Sequence, residues 1–239
     1  MQKSDSLVHD PVFYIMLGVF ALLTTGLAAA LGQPRFLPFS QTVALFAFLA
    51  VALRQRRWRE ALWVLALWLV LQIATMIVIP RLLRVQFGQA ISEGFRYRAA
   101  FFGWFYGVEA LPASLRVAPL GRLLEIVGIV LGSLLSGGLV GLWFLMRATN
   151  LAAYGAGMLW LDTGQMVSVI AGLPVWTLLR IAGYAGLVVL LAEPLFTRNW
   201  QFGHYLSDRR TLLLASTALL VAGLLLELIL PGAWRALFV

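Results

Sequence analysis

The chain contains no cysteine, and its only histidines are His9 and His204. The lack of cysteine excludes disulfides, thiolate metal sites and cysteine nucleophiles. A zinc, copper or bis-histidine haem centre needs two or three histidine ligands, which this chain does not place within a membrane. The sequence therefore predicts no metal site and no cofactor held by this chain alone.

Charged residues are also scarce, at 12% of the 239 residues, while 62% are hydrophobic. A soluble domain has about 25% charged and about 45–50% apolar residues. Together with a mean hydropathy of +0.90, this composition predicts an all-α integral membrane protein with one domain over residues 1–239. The net charge of +8 comes from arginines at the ends of apolar segments, which suits lipid headgroups and gives no reason to expect nucleic acid as a partner.

A transmembrane helix needs roughly 20 mostly apolar residues. The first such stretch, residues 12–31, resembles a signal peptide. Its apolar run is long for such a segment, and we expect it to be retained. Seven candidate spans follow from this criterion, which predicts a polytopic bundle of about seven helices: 12–31, 37–53, 61–79, 123–146, 151–173, 175–196 and 211–231.

The distribution of basic residues in short loops predicts the orientation. With seven spans, one side carries Lys3 and most of the arginines of the short loops, and the positive-inside rule makes that side cytoplasmic. The N-terminus is then cytoplasmic and the C-terminus is on the opposite side. The arginines counted on the cytoplasmic side are Arg54, Arg56, Arg57, Arg59, Arg147, Arg198, Arg209 and Arg210.

The long connection 81–118 follows the third span. Leu83, Phe87, Ile91 and Phe95 recur every four residues, which predicts an amphipathic helix lying in the membrane interface. The aromatic run that follows is typical of the membrane–water boundary. A re-entrant segment over 99–115 is the alternative.

Small residues at a spacing of four mark the fourth span. Such residues let two helix backbones approach closely, and close packing drives helix association in lipid. The partner is either another helix of this chain or another membrane subunit. The predicted packing residues are Gly128, Gly132 and Ser136, with Gly137 and Gly141 on an adjacent face.

The fifth span contains an acid about halfway along, Asp162, followed by Thr163 and Gln165. This spacing resembles a capping box, and a helix that starts inside an apolar segment indicates a broken helix with a polar or transport site. In the alternative interpretations Asp162 only caps a half-helix and pairs with Arg180 of the sixth span, or 150–161 is a short re-entrant piece. Three further acids lie near span ends, where we expect them to reach the interface: Glu125, Glu193 and Glu227.

Signatures of catalysis are missing. No phosphate-binding loop or His-Glu-x-x-His motif occurs, and no histidine lies in a span to activate a serine, so we do not expect an enzyme. Two functions remain, of which the first is favoured. The chain is either a non-catalytic scaffold subunit of a larger membrane complex, or a permease or carrier subunit with a solute or ion path along spans five and six. Asp162 in a wet cavity would favour transport, and Asp162 paired in a dry core would favour the scaffold.

Overall fold

The computed structural model describes residues 8, 10–198, 200, 203 and 207–238, so Lys3 and both histidines lie outside the described residues. The described chain is helical, and no strand occurs in these ranges. The helices are α1 (Pro11–Leu31), α2 (Phe36–Arg54), α3 (Trp58–Leu82), α4 (Arg84–Ala90), α5 (Gly94–Phe105), α6 (Pro119–Ser136), α7 (Leu139–Thr163), α8 (Val167–Gly172), α9 (Val175–Thr197), α10 (Arg210–Ile229) and α11 (Pro231–Ala236).

Six of these helices are long and apolar enough to cross a membrane, namely α1, α2, α3, α6, α9 and α10. The prediction of an all-α membrane bundle is therefore confirmed. The 25-residue α7 is also long enough, but Arg147, Thr149 and Asn150 make it less apolar than the six. It packs against α2, α3, α6 and α9. The polar residues of α7 thus lie inside the bundle or on the outer side of the bundle.

The fourth and fifth predicted spans differ from the helices that form. The chain turns back at Gly137 and Gly138, whose φ angles are +63° and +97°, within the stretch 123–146 that was predicted to be one helix. Glycine adopts these left-handed angles without steric cost, which is why the turn falls there. The predicted loop at Arg147 does not exist, because Arg147 lies within α7.

The predicted packing residues lie in this α6–α7 hairpin. Gly128 and Gly132 face Phe144 and Val140 of α7, and Gly141 faces Ser133 of α6. Ser136 and Gly137 end the first helix, where the Ser136 hydroxyl accepts a hydrogen bond from the Val140 N–H at 2.9 Å. The small residues therefore bring together two helices of this chain.

We call the two opposite ends of the bundle the proximal end and the distal end. At the proximal end, the Gly137–Gly138 turn meets the end of α9, and Arg209 binds Glu193 at 2.8 Å and 3.0 Å. Glu193 is thus buried in an ion pair, and the prediction that it reaches the interface is wrong. At the distal end, α3 leads into α4 and α5, and the starts of α6 and α9 meet the end of α10.

The connection 81–118 is not one amphipathic helix. The helix breaks at Leu83 and again after Ala90, so that Phe87 and Ile91 are buried while Phe95 is exposed. The aromatic side chains of α5 pack on the distal end of the bundle against Leu159, Ala171 and Trp176. This segment therefore forms a cap that packs on the bundle.

Two glycines let α9 and α10 approach closely. A Cβ atom at Gly183 would lie 2.8 Å from both the Leu220 nitrogen and the Ser216 oxygen, and one at Gly223 would lie 3.0 Å from the Arg180 nitrogen. These are backbone atoms, which cannot move aside as the tip of a side chain can. The close crossing fixes the depth of Arg180 relative to α10.

We expect Gly183→Ala to destabilise the protein, because its methyl group would collide with the α10 backbone. The matched control is Gly26→Ala in α1, where the added Cβ meets nothing within 4 Å and alanine favours the helix by about 1 kcal/mol. Thermal unfolding in mild detergent should show a lower Tm for Gly183→Ala and an equal or higher Tm for Gly26→Ala. Equal Tm values for the two variants would contradict the close crossing.

Candidate functional site

Four charged side chains meet near the distal end of the bundle. Arg122 and Glu125 lie in the first two turns of α6, Arg180 lies in the second turn of α9, and Glu227 lies in the last turn of α10. Since α10 runs antiparallel to α6 and α9, these positions come to the same depth. The side chains are only 6%, 18%, 7% and 1% exposed in that order. We call this group the charge cluster.

The hydrogen bonds of the charge cluster link three helices. Arg122 Nη1 donates to both oxygens of Glu125, at 2.9 Å and 3.0 Å, and Arg122 Nη2 donates to Glu227 Oε1 at 3.0 Å. Arg180 Nη1 donates to the other oxygen of Glu227. Two guanidinium groups and two carboxylates give no net charge, which makes burial of the cluster tolerable in a medium of low dielectric constant.

A cavity of about 200 Å³ adjoins the charge cluster. The Nε atoms of Arg122 and Arg180 are buried and, within the described part of the chain, have no hydrogen-bond partner. Thr177 and Tyr97 also line the cavity. Burial raises the pKa of Tyr97 to about 12, so its hydroxyl stays protonated at neutral pH. The cavity therefore offers donors and carboxylate acceptors to a polar molecule.

Two further cavities share walls with this one. A cavity of about 290 Å³ shares Leu111 and Glu227 with it and extends to Arg116 and Arg235 at the distal surface. Another, of about 160 Å³, shares Glu125 and extends to Asn150 in α7. The three cavities form a row, and the third also reaches the distal loops at Pro34 and Ser92.

A second polar group occupies the core beyond the row of cavities. Gln41 Nε2 donates to Thr25 Oγ1 at 2.9 Å, Gln72 Nε2 donates to Asn150 Oδ1 at 2.7 Å, and Asn150 Nδ2 donates to Gln41 Oε1 at 2.7 Å. All four side chains are buried. This amide network joins α1, α2, α3 and α7, because amides in a membrane core need partners from other helices.

The structure places Asp162 differently from the prediction. Asp162 lies in the last turn of the continuous helix α7, before the left-handed Gly164, so it does not start a helix. Its exposed carboxylate accepts a hydrogen bond from the Tyr106 hydroxyl at 3.0 Å. Partial burial and this bond raise the pKa of Tyr106. Asp162 lines none of the three cavities in the row.

The other predicted site residues do not gather around Asp162. Thr163 bonds to the Ser168 hydroxyl at 2.6 Å, and Gln165 is exposed in the turn after α7. Arg180 pairs with Glu227, so the pair expected between Asp162 and Arg180 is not formed. Of the predicted polar site, Arg180 alone belongs to the charge cluster.

The prediction that Glu125 and Glu227 reach the interface is wrong, because both lie in the charge cluster. Position near a span end was taken as a route to water, whereas the α5 cap and the neighbouring helices cover that end. A signal for the amide network was present in the sequence. Gln41 and Gln72 interrupt otherwise apolar spans, and buried amides in a membrane require partners.

Comparison with protein-family models, with curated proteins and with solved structures gives no match. Among the described residues, no three His, Cys, Asp or Glu side chains come together where they could hold a metal ion. The fold and the site define an integral membrane helical protein with a buried, charge-balanced polar cavity.

We expect Glu227→Gln to destabilise the protein strongly, because it leaves two buried guanidinium groups with one carboxylate. Breaking a buried ion pair on one side typically costs about 3–5 kcal/mol. Glu93→Gln is the matched control, since Glu93 and Arg96 form an exposed pair worth about 0–1 kcal/mol. Thermal unfolding in detergent compares the stability of the two variants. A loss of stability in Glu227→Gln as small as that in Glu93→Gln would contradict a tightly coupled cluster.

Proposed function

We propose that the protein is a membrane carrier for a small polar solute, and that the solute binds in the cavity beside the charge cluster. The single observation that carries this proposal is a cavity whose wall contains two guanidinium groups and two carboxylates from three helices. Ionisable side chains at membrane depth that face a cavity are typical of substrate and ion pathways.

A purely structural role explains the charge cluster less well. A buried ion pair is often no more stabilising than apolar residues of the same volume. Here all four charged side chains line one cavity, where they can bind a polar molecule. Because the cluster has no net charge, a zwitterionic solute suits it, with its anionic group on Arg180 and its cationic group near Glu125.

The row of cavities supports the same proposal. The outer cavity, with Arg116 and Arg235, provides a polar entrance from the distal side. Beyond the third cavity the amide network closes the core, since its three amides are bonded to one another and to Thr25 across four helices. Under this proposal the carrier is open toward the distal side and closed toward the proximal side.

The orientation is part of the proposal. The short loops at the proximal end carry Arg54, Arg56, Arg57 and Arg59, and a second group follows α9. By the positive-inside rule this end is cytoplasmic. The solute entrance is then on the opposite side of the membrane, and uptake is the direction of transport that fits.

We expect Arg180→Lys to weaken solute binding by about tenfold, because lysine keeps the charge but lacks the Nε donor and the planar fork of arginine. Small zwitterions, starting with alanine, serve as probes. A bound solute raises Tm, and at about 100 times its Kd it contributes about 2.7 kcal/mol. Uptake of the stabilising probe into proteoliposomes then tests transport.

Asp162→Asn is the matched control for this experiment, because Asp162 is exposed and lies outside the row of cavities. Solute binding and uptake should be unchanged in Asp162→Asn. Transport that is lost in Asp162→Asn and kept in Arg180→Lys would show that the path lies elsewhere. Failure of every probe to bind or to enter proteoliposomes would reject the carrier proposal.

A scaffold subunit of a larger membrane complex is the second candidate. The observation that favours it is the outer face of α6, where Leu120, Leu124 and Leu135 are 74%, 64% and 77% exposed. A continuous apolar face on a helix at the side of the bundle suits a neighbouring transmembrane helix as well as lipid.

Purification from the native membrane in gentle detergent, with mass spectrometry of the associated proteins, separates the two candidates. If the chain is a scaffold subunit, we expect stoichiometric membrane partners that are lost when Leu124 and Leu135 are replaced by tryptophan. The same substitutions in a self-contained carrier would leave the composition of the preparation unchanged. Recovery of the wild-type chain without partners would reject the scaffold candidate.

A further inference from the structure

The cavity beside the charge cluster takes its charged and its apolar side chains from different helices. Among the described residues that line it, every charged side chain comes from α6, α9 or α10. The residues contributed by α5, by the segment 111–113 and by α7 are apolar except for the hydroxyl of Tyr97. We call these residues the apolar wall, and they are Tyr97, Phe101, Leu111, Pro112, Ala113, Ala148, Leu151 and Ala152.

Two small residues of α7 leave space at the apolar wall. Ala148 and Ala152 are four residues apart, so they lie on the same face of the helix. Both line the cavity together with Leu151, and all three side chains are half-buried. Ala152 lines this cavity and neither of the other two in the row. The size of the side chain at position 152 therefore affects the room in this cavity alone.

The volume of the cavity limits the size of the solute. A protein cavity of about 150 Å³ with apolar walls holds a molecule of benzene. The cavity beside the charge cluster, at about 200 Å³, has room for a somewhat larger molecule. Leucine is a zwitterion of this size, whereas alanine would leave part of the space empty.

We propose that the solute is a zwitterionic amino acid with an apolar side chain of about the size of leucine, and that Ala152 determines this preference. The inference rests on the proposed function, in which the anionic group lies on Arg180 and the cationic group lies near Glu125. Both charged groups of an amino acid are attached to its α-carbon, so its side chain points away from them. The side chain then lies against α5 and α7, where burial of apolar surface stabilises the complex.

The affinities of the wild-type protein for three amino acids test the preference. Leucine has a longer apolar side chain than alanine, and asparagine has the shape of leucine but a polar amide in its side chain. Because each buried CH₂ group adds to binding, the Kd for leucine should be about tenfold lower than the Kd for alanine or for asparagine. The rise of Tm with the concentration of each amino acid gives these values.

Ala152→Leu tests the role of the apolar wall. Its larger side chain fills the space that the solute side chain needs, so the tenfold preference for leucine over alanine should be lost. Ala47→Leu is the matched control, because it makes the same change at an exposed position of α2 that lines none of the three cavities. This control should keep the preference of the wild type. An unchanged preference in Ala152→Leu would overturn the inference.

Ala152→Val replaces Ala152→Leu if the latter does not fold. It adds less volume at the same position and should lower the preference for leucine to about threefold, and an unchanged tenfold preference would again overturn the inference.

The same three amino acids separate a failure of this inference from a failure of the proposed function. Binding of all three to the wild type with equal Kd values would overturn the inference and leave the carrier proposal standing. Binding of none of them would overturn both.

Discussion

The ion pair between Arg180 and Glu227 is the interaction on which the distal half of the bundle depends. Each partner is buried, so each needs the other to avoid an uncompensated charge in a medium of low dielectric constant. Arg122 and Glu125 extend the pair to α6, and the close crossing at Gly183 and Gly223 sets the depth at which α9 meets α10. The same requirement for partners assembles the amide network in the other half of the bundle.

The two polar groups divide the interior between them. The amide network is nearly complete, with short hydrogen bonds between Gln41, Gln72 and Asn150, and it ties four helices together. The charge cluster is balanced in charge, and all four of its side chains line a cavity. The amides of the network bond mainly to one another, although Gln72 Oε1 has no hydrogen-bond partner among the described residues, whereas the charged side chains of the cluster border a space that can hold a molecule. This contrast is the reason for placing the proposed solute site at the cluster.

Much of the fold follows from the sequence, because apolar runs of membrane length and the lack of charge leave few alternatives to a helical bundle. The errors arise where a local sequence pattern indicates one structure and the folded chain forms another. Asp162 resembles a helix start, yet the left-handed Gly164 makes it part of a helix end. Gly137 was interpreted as part of a packing face, although the positive φ angles of Gly137 and Gly138 place the chain reversal there and Arg147 then falls within a helix. Of the candidate site, only Arg180 was predicted.

The sequence by itself determined that this protein is an all-α membrane bundle without cysteine chemistry, since composition and run length depend on each residue's own transfer free energy. Tertiary structure alone decided which polar residues meet. Glu125 and Glu227 are far apart in the chain, and each looks free to reach water. They become partners of two arginines only because antiparallel helices bring them to one depth beneath the α5 cap. Pairing is a property of the assembled bundle, and no single span contains it.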